Sequence, residues 1–562
     1  MSLKTFLLRP VAFAAGLHAG REVARFLDAH NHTASVQEQL LGRLLAAGAA
    51  TAFGRAHGLG AVRTYEEFVR AVPVGNYETL RPYMDRVLAG DTAALLPADQ
   101  RVLMFSQTSG TTGLPKFIPV TERSLADARR GWNVWGLTAL RDHRSAWLRY
   151  VVQLSSSMRE RVSPTGLPCG AVSGLLAATQ KKIVRRMYCV PTGVSDIADS
   201  DARLYTVLRS SVGRDVAFIT TANPSSTIAL INAGQRHVER LIRDVRDGTF
   251  TPPGDVPADL GRHLRRRPKN TPLARQLDTG LHRDGRLLPR HFWRMTFLAN
   301  WTGGTLGLYL PRLRELFDEV PIRDIGLLAS EGRFSVPVAD GTAAGVAEIL
   351  GNFLEFIPAD DYAGAANPGT VTTLRAHELD VGREYFLVVS NWSGLWRYNM
   401  DDRVRVVGHL GQSPLIEFLS RGLHTANITG EKITEHQVVA AMAAACGQNG
   451  GAAGASGTTG GAAGGVERFT LQGRFAATPF YELRMEPPAG LDATALASRF
   501  DDALCELNVE YASKRKSGRL GPVKPTLLPP GTLETAEHAA IAARQGRREQ
   551  YKHKYLLTEI AP

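Results

Sequence analysis

The sequence predicts an α/β protein with a large N-terminal unit and a smaller C-terminal one. Three observations carry that prediction. The 562 residues exceed what one hydrophobic core serves, and 44% hydrophobic against 21% charged residues supplies apolar material for two or three cores. Short apolar runs alternate with amphipathic ones, as strands and helices do around a mainly parallel sheet. The stretch from Gly447 to Gly465 is almost wholly Gly, Ala, Ser and Thr. It cannot bury a core, and patterned sequence resumes on both sides, so it reads as a flexible insertion inside a C-terminal domain.

The elements follow in order. Met1 to Leu8 is briefly apolar, but Arg9-Pro10 breaks the run and Arg21 and Arg25 follow at helical spacing, so a structural helix is expected rather than an export signal. Ala29 to Leu95 reads as short helices between polar breaks. Val102-Leu103-Met104-Phe105 is a short buried strand that leads into a Ser/Thr/Gly turn. Ala217-Phe218-Ile219-Thr220 is a strand before one long amphipathic helix, Thr227 to Val245, and Ile325-Gly326-Leu327-Leu328 is a strand before another turn. From Glu348 to Val407 the texture becomes β-rich, with runs at Phe353–Ile357, Tyr385–Val389 and Val404–Val407. These predict a smaller sheet or barrel at the end of the large unit.

Composition narrows the function. Cys169, Cys189, Cys446 and Cys505 form no CxxC pair, which removes a disulfide framework and a structural zinc site and fits a reducing cytoplasm. Sixty-six Lys and Arg against 54 Asp and Glu give +12, but the excess is diffuse. Its densest run, Arg262 to Lys269, has no interleaved aromatics and reads as a solvated loop, so neither nucleic acid nor membrane is expected as a partner. No run reaches the ~18 apolar residues of a membrane span. His237, His263 and His424 are isolated and are not expected as ligands.

The strongest local signal is Ser106-Gln107-Thr108-Ser109-Gly110-Thr111-Thr112-Gly113-Leu114-Pro115-Lys116. It follows a strand and packs hydroxyls, two glycines and a lysine into one turn. Glycine lets backbone approach an anion, hydroxyls and N–H groups donate to phosphate oxygens, and lysine adds a point charge. It is not a Walker A loop, because Pro115 precedes Lys116 and Phe117 follows.

This string resembles the phosphate loop of the acyl-adenylate-forming superfamily, the luciferase-like enzymes. Further motifs recur in order in the plant auxin-conjugating Gretchen Hagen family of acyl acid–amido synthetases and their bacterial relatives. They are Thr302-Gly303-Gly304 with Tyr309-Leu310-Pro311, Leu328-Ala329-Ser330-Glu331, Phe353–Pro358, Ser393–Tyr398 with Asp402, Asn508–Tyr511 with Lys514-Arg515, and Pro530-Gly531-Thr532 with Gln550-Tyr551-Lys552. The resemblance spans nearly the whole chain. It implies a large adenylate-forming domain over residues 1–419 and a smaller mobile α+β domain over 420–562, hinged near Leu419-Ser420-Arg421. It also implies a cytoplasmic monomer that uses ATP and Mg2+ to adenylate a small carboxylic acid. The acyl group then passes to an amine, usually of an amino acid. Coenzyme A as acceptor, and a degenerate scaffold that binds nucleotide or acid without turnover, stay open as alternatives.

The resemblance assigns roles to matching positions. Thr108, Ser109, Gly110, Thr111, Thr112 and Gly113 would cradle the phosphates with Lys116 beside them. Glu331 matches a glutamate that helps hold magnesium. Ser330, Leu328, Ala329 and the backbone of Leu327 would line the adenine, with Gly303 and Gly304 in the same nucleotide-binding set. Leu327 stands where a tyrosine commonly stacks on the base, which leaves Phe353 or Trp396 to stack instead. Asp402 would accept from both ribose hydroxyls, an acceptor-only task that suits a carboxylate, although Asp401 beside it is an alternative. Arg397 either pairs with one of these aspartates or contacts nucleotide. Arg421 is a candidate for ribose or phosphate. Lys552 aligns with a small-domain lysine that reaches the phosphates, and Lys554 is its alternative. The acid would bind between Phe218 and Pro224, beside Thr302 to Gly304.

Overall fold

The computed structural model describes residues 20–108, 116–264, 267–303, 309–362, 371–421, 425–447, 469–486, 492–533 and 555–561, with a few single positions between them. They fall into two compact units, residues 20–107 with 116–421 in one, and Thr108 with the described residues from 425 onward in the other. The opening eight residues and 448–465 lie outside the described residues.

The first unit opens with helices Thr33–Gly48, Tyr65–Ala71 and Tyr77–Leu88. The second and third starts are written locally. Thr64 accepts from the Glu67 amide while the Glu67 carboxylate accepts from Thr64, and Asn76 caps the next helix through the Glu78 and Thr79 amides. Leu40, Leu41, Leu44 and Leu45 recur at helical spacing and are buried in the main core. Buried Gln37, on the same helix, inserts into the edge of a distant strand. Its amide donates to the carbonyls of Ile349 and Asn352 at 2.7 and 2.8 Å and accepts from the Leu354 amide at 2.8 Å.

Three sheets carry the rest of this unit. One is wholly parallel, in the order Tyr150–Gln153, Val216–Thr220, Phe297–Ala299, Ile322–Arg323. A second, mixed sheet has the order Lys116–Thr121, Val102–Thr108, Pro168–Gly170, Arg161–Val162. The largest has seven strands, all antiparallel, in the order Ser335–Val336, Gly345–Ala347, Ser413–Arg421, Leu395–Leu410, Glu384–Asn391, Asn352–Pro358, Leu374–Arg375. The fold is therefore mixed α/β, and of this unit's three sheets only one is wholly parallel, where mainly parallel sheets were expected. The β-rich stretch expected as a small sheet or barrel supplies most of the antiparallel one. Among the described residues no pairing joins its two edge strands.

Two expected elements differ. The single helix over Thr227 to Val245 is two, Pro224–Arg236 and Val238–Asp247, with His237 leaving helical geometry between them at φ −115 and ψ 26. The strand expected over Ile325–Leu328 is interrupted by Gly326 at φ +87. The parallel strand ends at Arg323, and Leu328–Ala329 instead pairs with Gly332–Arg333 as a tight hairpin.

In the second unit a four-stranded sheet runs Lys524–Leu527, Phe480–Met485, Phe469–Arg474, Leu556–Ala561. Helices Glu435–Ala445, Ala493–Leu507 and Val509–Lys516 share its core, which includes Leu471, Tyr481, Leu483, Phe500, Leu504 and Tyr511. Wholly buried Glu431 accepts from the Ile428 and Thr429 amides at 2.7 Å and from the Tyr481 hydroxyl at 2.5 Å. No helix among the described residues is long and apolar enough to cross a membrane.

Candidate functional site

Of the expected site residues, Leu328, Ala329, Ser330 and Glu331 share one hairpin, Leu328–Arg333. Ala329 pairs with Gly332, so Ser330 and Glu331 are its two turn residues. The glutamate side chain is thrown off a tight turn yet is only 2% exposed. The Tyr398 hydroxyl donates to its Oε1 at 3.3 Å, and the Asn391 amide donates to its backbone carbonyl at 2.9 Å. Its other oxygen, Oε2, is buried with no hydrogen-bond partner among the described residues. A buried anionic oxygen in that state suits magnesium, which takes one or two carboxylates and completes its shell with phosphate oxygens and water.

The approach to the turn is fixed by Asp324, which the sequence reading passed over. Its Oδ1 accepts from the Gly326 amide at 2.6 Å, and its Oδ2 accepts from the Thr302 amide and hydroxyl at 2.6 and 2.7 Å. Burial nonetheless pushes the carboxyl up to about 6. Arg333, at the hairpin's far end, donates to the carbonyls of Ile325 and Ser335 and lies over the Trp132 ring at 4.5 Å. Burial pulls its guanidinium down to about 9. The Asp-X-Gly spacing before the turn was the available signal for Asp324, since a carboxylate two residues ahead of a glycine closes such turns.

Asp402 lies on Leu395–Leu410, the strand that carries Tyr398, and is 4% exposed. It stands opposite Arg421 in the antiparallel register. Arg397 and Asp401 on that strand have positive φ, 39 and 60, uncommon for residues with a Cβ. Ladder register also shifts here, between Phe386 and Val388 and between Val389 and Asn391 of the neighbouring strand. These irregularities set the two carboxylates apart. Asp401 accepts from the Tyr362 hydroxyl at 2.5 Å, whereas Asp402 lies in the buried row.

Lys116 begins the strand after the Ser/Thr/Gly loop, and Thr108 ends the strand before it. Lys116 is 6% exposed with its ammonium 5.6 Å from the centre of the Tyr77 ring, while the Tyr77 hydroxyl accepts from the Phe117 amide at 2.9 Å. Two residues before Tyr77, Gly75 bridges to Tyr398, accepting from the Asn399 amide and donating to the Arg397 carbonyl. One series of contacts thus runs from Lys116 through Tyr77 and Gly75 to Tyr398 and Glu331. Gly303 lies against the backbone of Phe418, where an added Cβ would stand 3.2 Å from the Phe418 carbonyl oxygen. Ser109, Gly110, Thr111, Thr112, Gly113, Gly304, Lys552 and Lys554 lie outside the described residues.

Three expectations are corrected. Phe353 is 1% exposed and packs its ring against Tyr65 and Phe68, and Trp396 is 4% exposed against Phe53 and Phe68, so both are core side chains without a free face for a base. The Leu327 amide and carbonyl bond to the Ser335 hydroxyl and the Phe334 amide, so this backbone closes the hairpin. Arg397 pairs with neither aspartate. Its partner is Glu355, held through both carboxylate oxygens, with further bonds to the Val72 carbonyl and the Thr373 hydroxyl.

Sequence comparison gives three consecutive matches: the GH3 family N-terminal domain over residues 22–322, the central domain over 348–421 and the C-terminal domain over 463–560. The chain is 25% identical to an indole-3-acetic acid-amido synthetase, GH3.8, of Oryza sativa subsp. indica, over 97% of this chain and 92% of the relative. It is 22% identical to a jasmonoyl–L-amino acid synthetase, GH3.5, of Oryza sativa subsp. japonica, over 89% and 88%. Among solved structures, AtGH3.15 acyl acid amido synthetase in complex with 2,4-DB superposes with a TM-score of 0.64 at 18% identity, covering 96% of this chain and 94% of that one. With the N-terminal profile alone spanning more than half of its length, this chain belongs to the GH3 family.

Proposed function

We propose that this protein is an acyl acid–amido synthetase. It adenylates a small carboxylic acid with ATP and magnesium and transfers the acyl group to an amine, an amino acid in the first instance. The observation that carries this reading is family membership across three consecutive domains, with curated relatives named as acid-amido synthetases over nearly their full length.

In the first half-reaction a carboxylate oxygen of the acid bonds to the α-phosphorus of ATP, and the bond to the bridging oxygen breaks to release pyrophosphate. In the second, the amine nitrogen bonds to the acyl carbon, the acyl–phosphate C–O bond breaks, AMP leaves and the amine loses a proton. No enzyme nucleophile is consumed. The chain's task is to bring two anions together and to hold them in line. Magnesium, when bound, lowers that repulsion by neutralising phosphate charge.

Glu331 would hold the metal through Oε2, in keeping with its burial and the tyrosine already on Oε1. Lys116 and the hydroxyl-rich loop that starts at Thr108 would receive the phosphates. Asp402 would accept from the ribose hydroxyls, a choice supported by the commitment of Asp401 to Tyr362. Arg421, opposite Asp402, would serve the same end of the nucleotide, and Lys552 would come from the smaller C-terminal domain. The adenine would lie along the Leu328–Ser330 edge of the hairpin. Carboxylate-dependent exchange of labelled pyrophosphate into ATP tests the first half, with amide products weighed after adding amino acids for the second. Exchange without amide, and thioester on adding coenzyme A, would replace the acceptor; no exchange over a broad panel of acids would refute the reading.

A further inference from the structure

Glu331 lines a small cavity together with Asp127, Glu348, Asn352 and Asn391, and the side-chain hydrogen bonds around it form a directed series. Asn391 Nδ2 donates to the Glu331 carbonyl at 2.9 Å and to Asn352 Oδ1 at 3.1 Å. Asn352 Nδ2 donates to the Arg333 carbonyl at 2.7 Å and to Glu348 Oε2 at 3.2 Å. Two side-chain amides therefore grip alternate carbonyls on one arm of the hairpin, that of the turn residue Glu331 and that of the strand residue Arg333. Glu348 is 1% exposed, takes the Gly351 amide on Oε2 and meets Arg130 on Oε1 at 3.0 Å, and Arg130 reaches Asp127 at 2.7 Å on helix Glu122–Asp142.

The anchor is itself held. Asn391 Oδ1 accepts from the Ser393 amide, the next carbonyl, of Trp392, accepts from the Thr121 hydroxyl, and Arg123 lies 3.9 Å over the Trp392 ring. Asn352 and Asn391 are also directly opposite each other in the antiparallel register, so their spacing is set by the sheet.

We propose that the Asn352–Asn391 pair is a positioning device for Glu331. It fixes the backbone of the turn from the sheet side, so that the carboxylate stands with Oε2 presented before nucleotide arrives. This rests on the reading that Glu331 holds magnesium. Asn391→Asp keeps the shape and removes both donated bonds. Without them the turn can rotate, and the metal loses a fixed oxygen while the acid and nucleoside contacts stay intact. Partners that orient a metal ligand typically govern about 10-fold or more of metal affinity.

The test compares the parent, Asn391→Asp, Asn352→Asp and Glu331→Gln. The magnesium concentration for half-maximal pyrophosphate exchange is expected to rise about 10-fold in both asparagine variants, with KM for the acid within about twofold. Calorimetry supplies a readout apart from activity: ATP should bind more weakly in the variants with magnesium present and equally well in EDTA. Loss of folded protein with an unchanged magnesium requirement in what remains would mark the pair as structural and overturn the proposal. A magnesium shift in Glu331→Gln without one in the asparagine variants would overturn it and leave the Glu331 reading intact. No shift in any variant would remove the Glu331 reading itself. If neither asparagine variant folds, hydrogen exchange of the parent decides. Slow exchange through residues 328–336 before nucleotide is added supports positioning, and fast exchange that slows only with magnesium and ATP refutes it.

Discussion

Arg397→Met removes the positive half of a pair that is 2% and 0% exposed. In the parent, the guanidinium bonds both oxygens of Glu355 at 3.0 Å and satisfies the Val72 carbonyl at 2.9 Å. Methionine fills similar volume but leaves an anion in the core with only the Tyr65 and Thr373 hydroxyls, at 3.0 and 2.8 Å. Breaking a buried pair by removing one partner costs about 3–5 kcal/mol. The two hydroxyls offset part of that, so a loss of about 3 kcal/mol is expected. All seven tryptophans lie between Trp132 and Trp396, so urea unfolding followed by tryptophan fluorescence reports the first unit alone. The double change Glu355→Gln/Arg397→Met, which removes both charges, should recover at least half of the loss and keep KM for ATP within about twofold. A single-variant loss under about 1 kcal/mol would refute the reasoning about burial. A selective failure of the folded double variant to bind ATP would show that Arg397 touches nucleotide.

Three further outcomes follow from the same geometry. Asp402→Asn should raise KM for ATP by about 10-fold or more, the worth of a charged hydrogen bond, whereas Asp401→Asn should act chiefly on stability through Tyr362; steady-state kinetics and thermal unfolding separate them. Burial pushes the Asp127 carboxyl up to about 6, against the opposing pull of Arg130, so the folded state binds its proton more tightly than the unfolded chain does. That group therefore costs stability as pH rises from about 4 to about 6, and Asp127→Asn should gain on the parent over that window by up to about 3 kcal/mol in urea titrations; a constant difference would refute the assignment. Gly394 has φ +77 and would place an added Cβ 3.0 Å from that of Leu95, so Gly394→Ala should lose about 1–3 kcal/mol in the same assay, while an unchanged midpoint would show that the turn relaxes.

Much of the architecture could be read along the chain because the signals are local. Thr64 and Asn76 announce helix starts within three residues, and the apolar run at Phe353–Ile357 sits wholly inside an observed strand. The misreadings arose where distant groups decide. Asp324 and Gly326 break a run that looks like a strand, and the acceptors that settle Arg397 lie 42 and 325 residues away. Glu331 could be nominated from its motif, but Asn352 and Asn391 could not. Each is an ordinary strand residue in sequence, and only the register of the sheet brings them together. Phe353 and Trp396 carry the chemistry of a base-stacking platform, yet the packing of Phe53, Tyr65 and Phe68 takes their faces.

Gln37 has a consequence for biosynthesis. Its acceptors and its donor lie 312 to 317 residues further along the chain. At ordinary translation rates the ribosome needs about 15–60 s to deliver them. Throughout that interval the leading helices display an apolar stripe and an unmatched amide. The nascent protein is thus exposed to chaperones and to aggregation until its central sheet emerges, and faster elongation or chaperone supply should raise the yield of native enzyme.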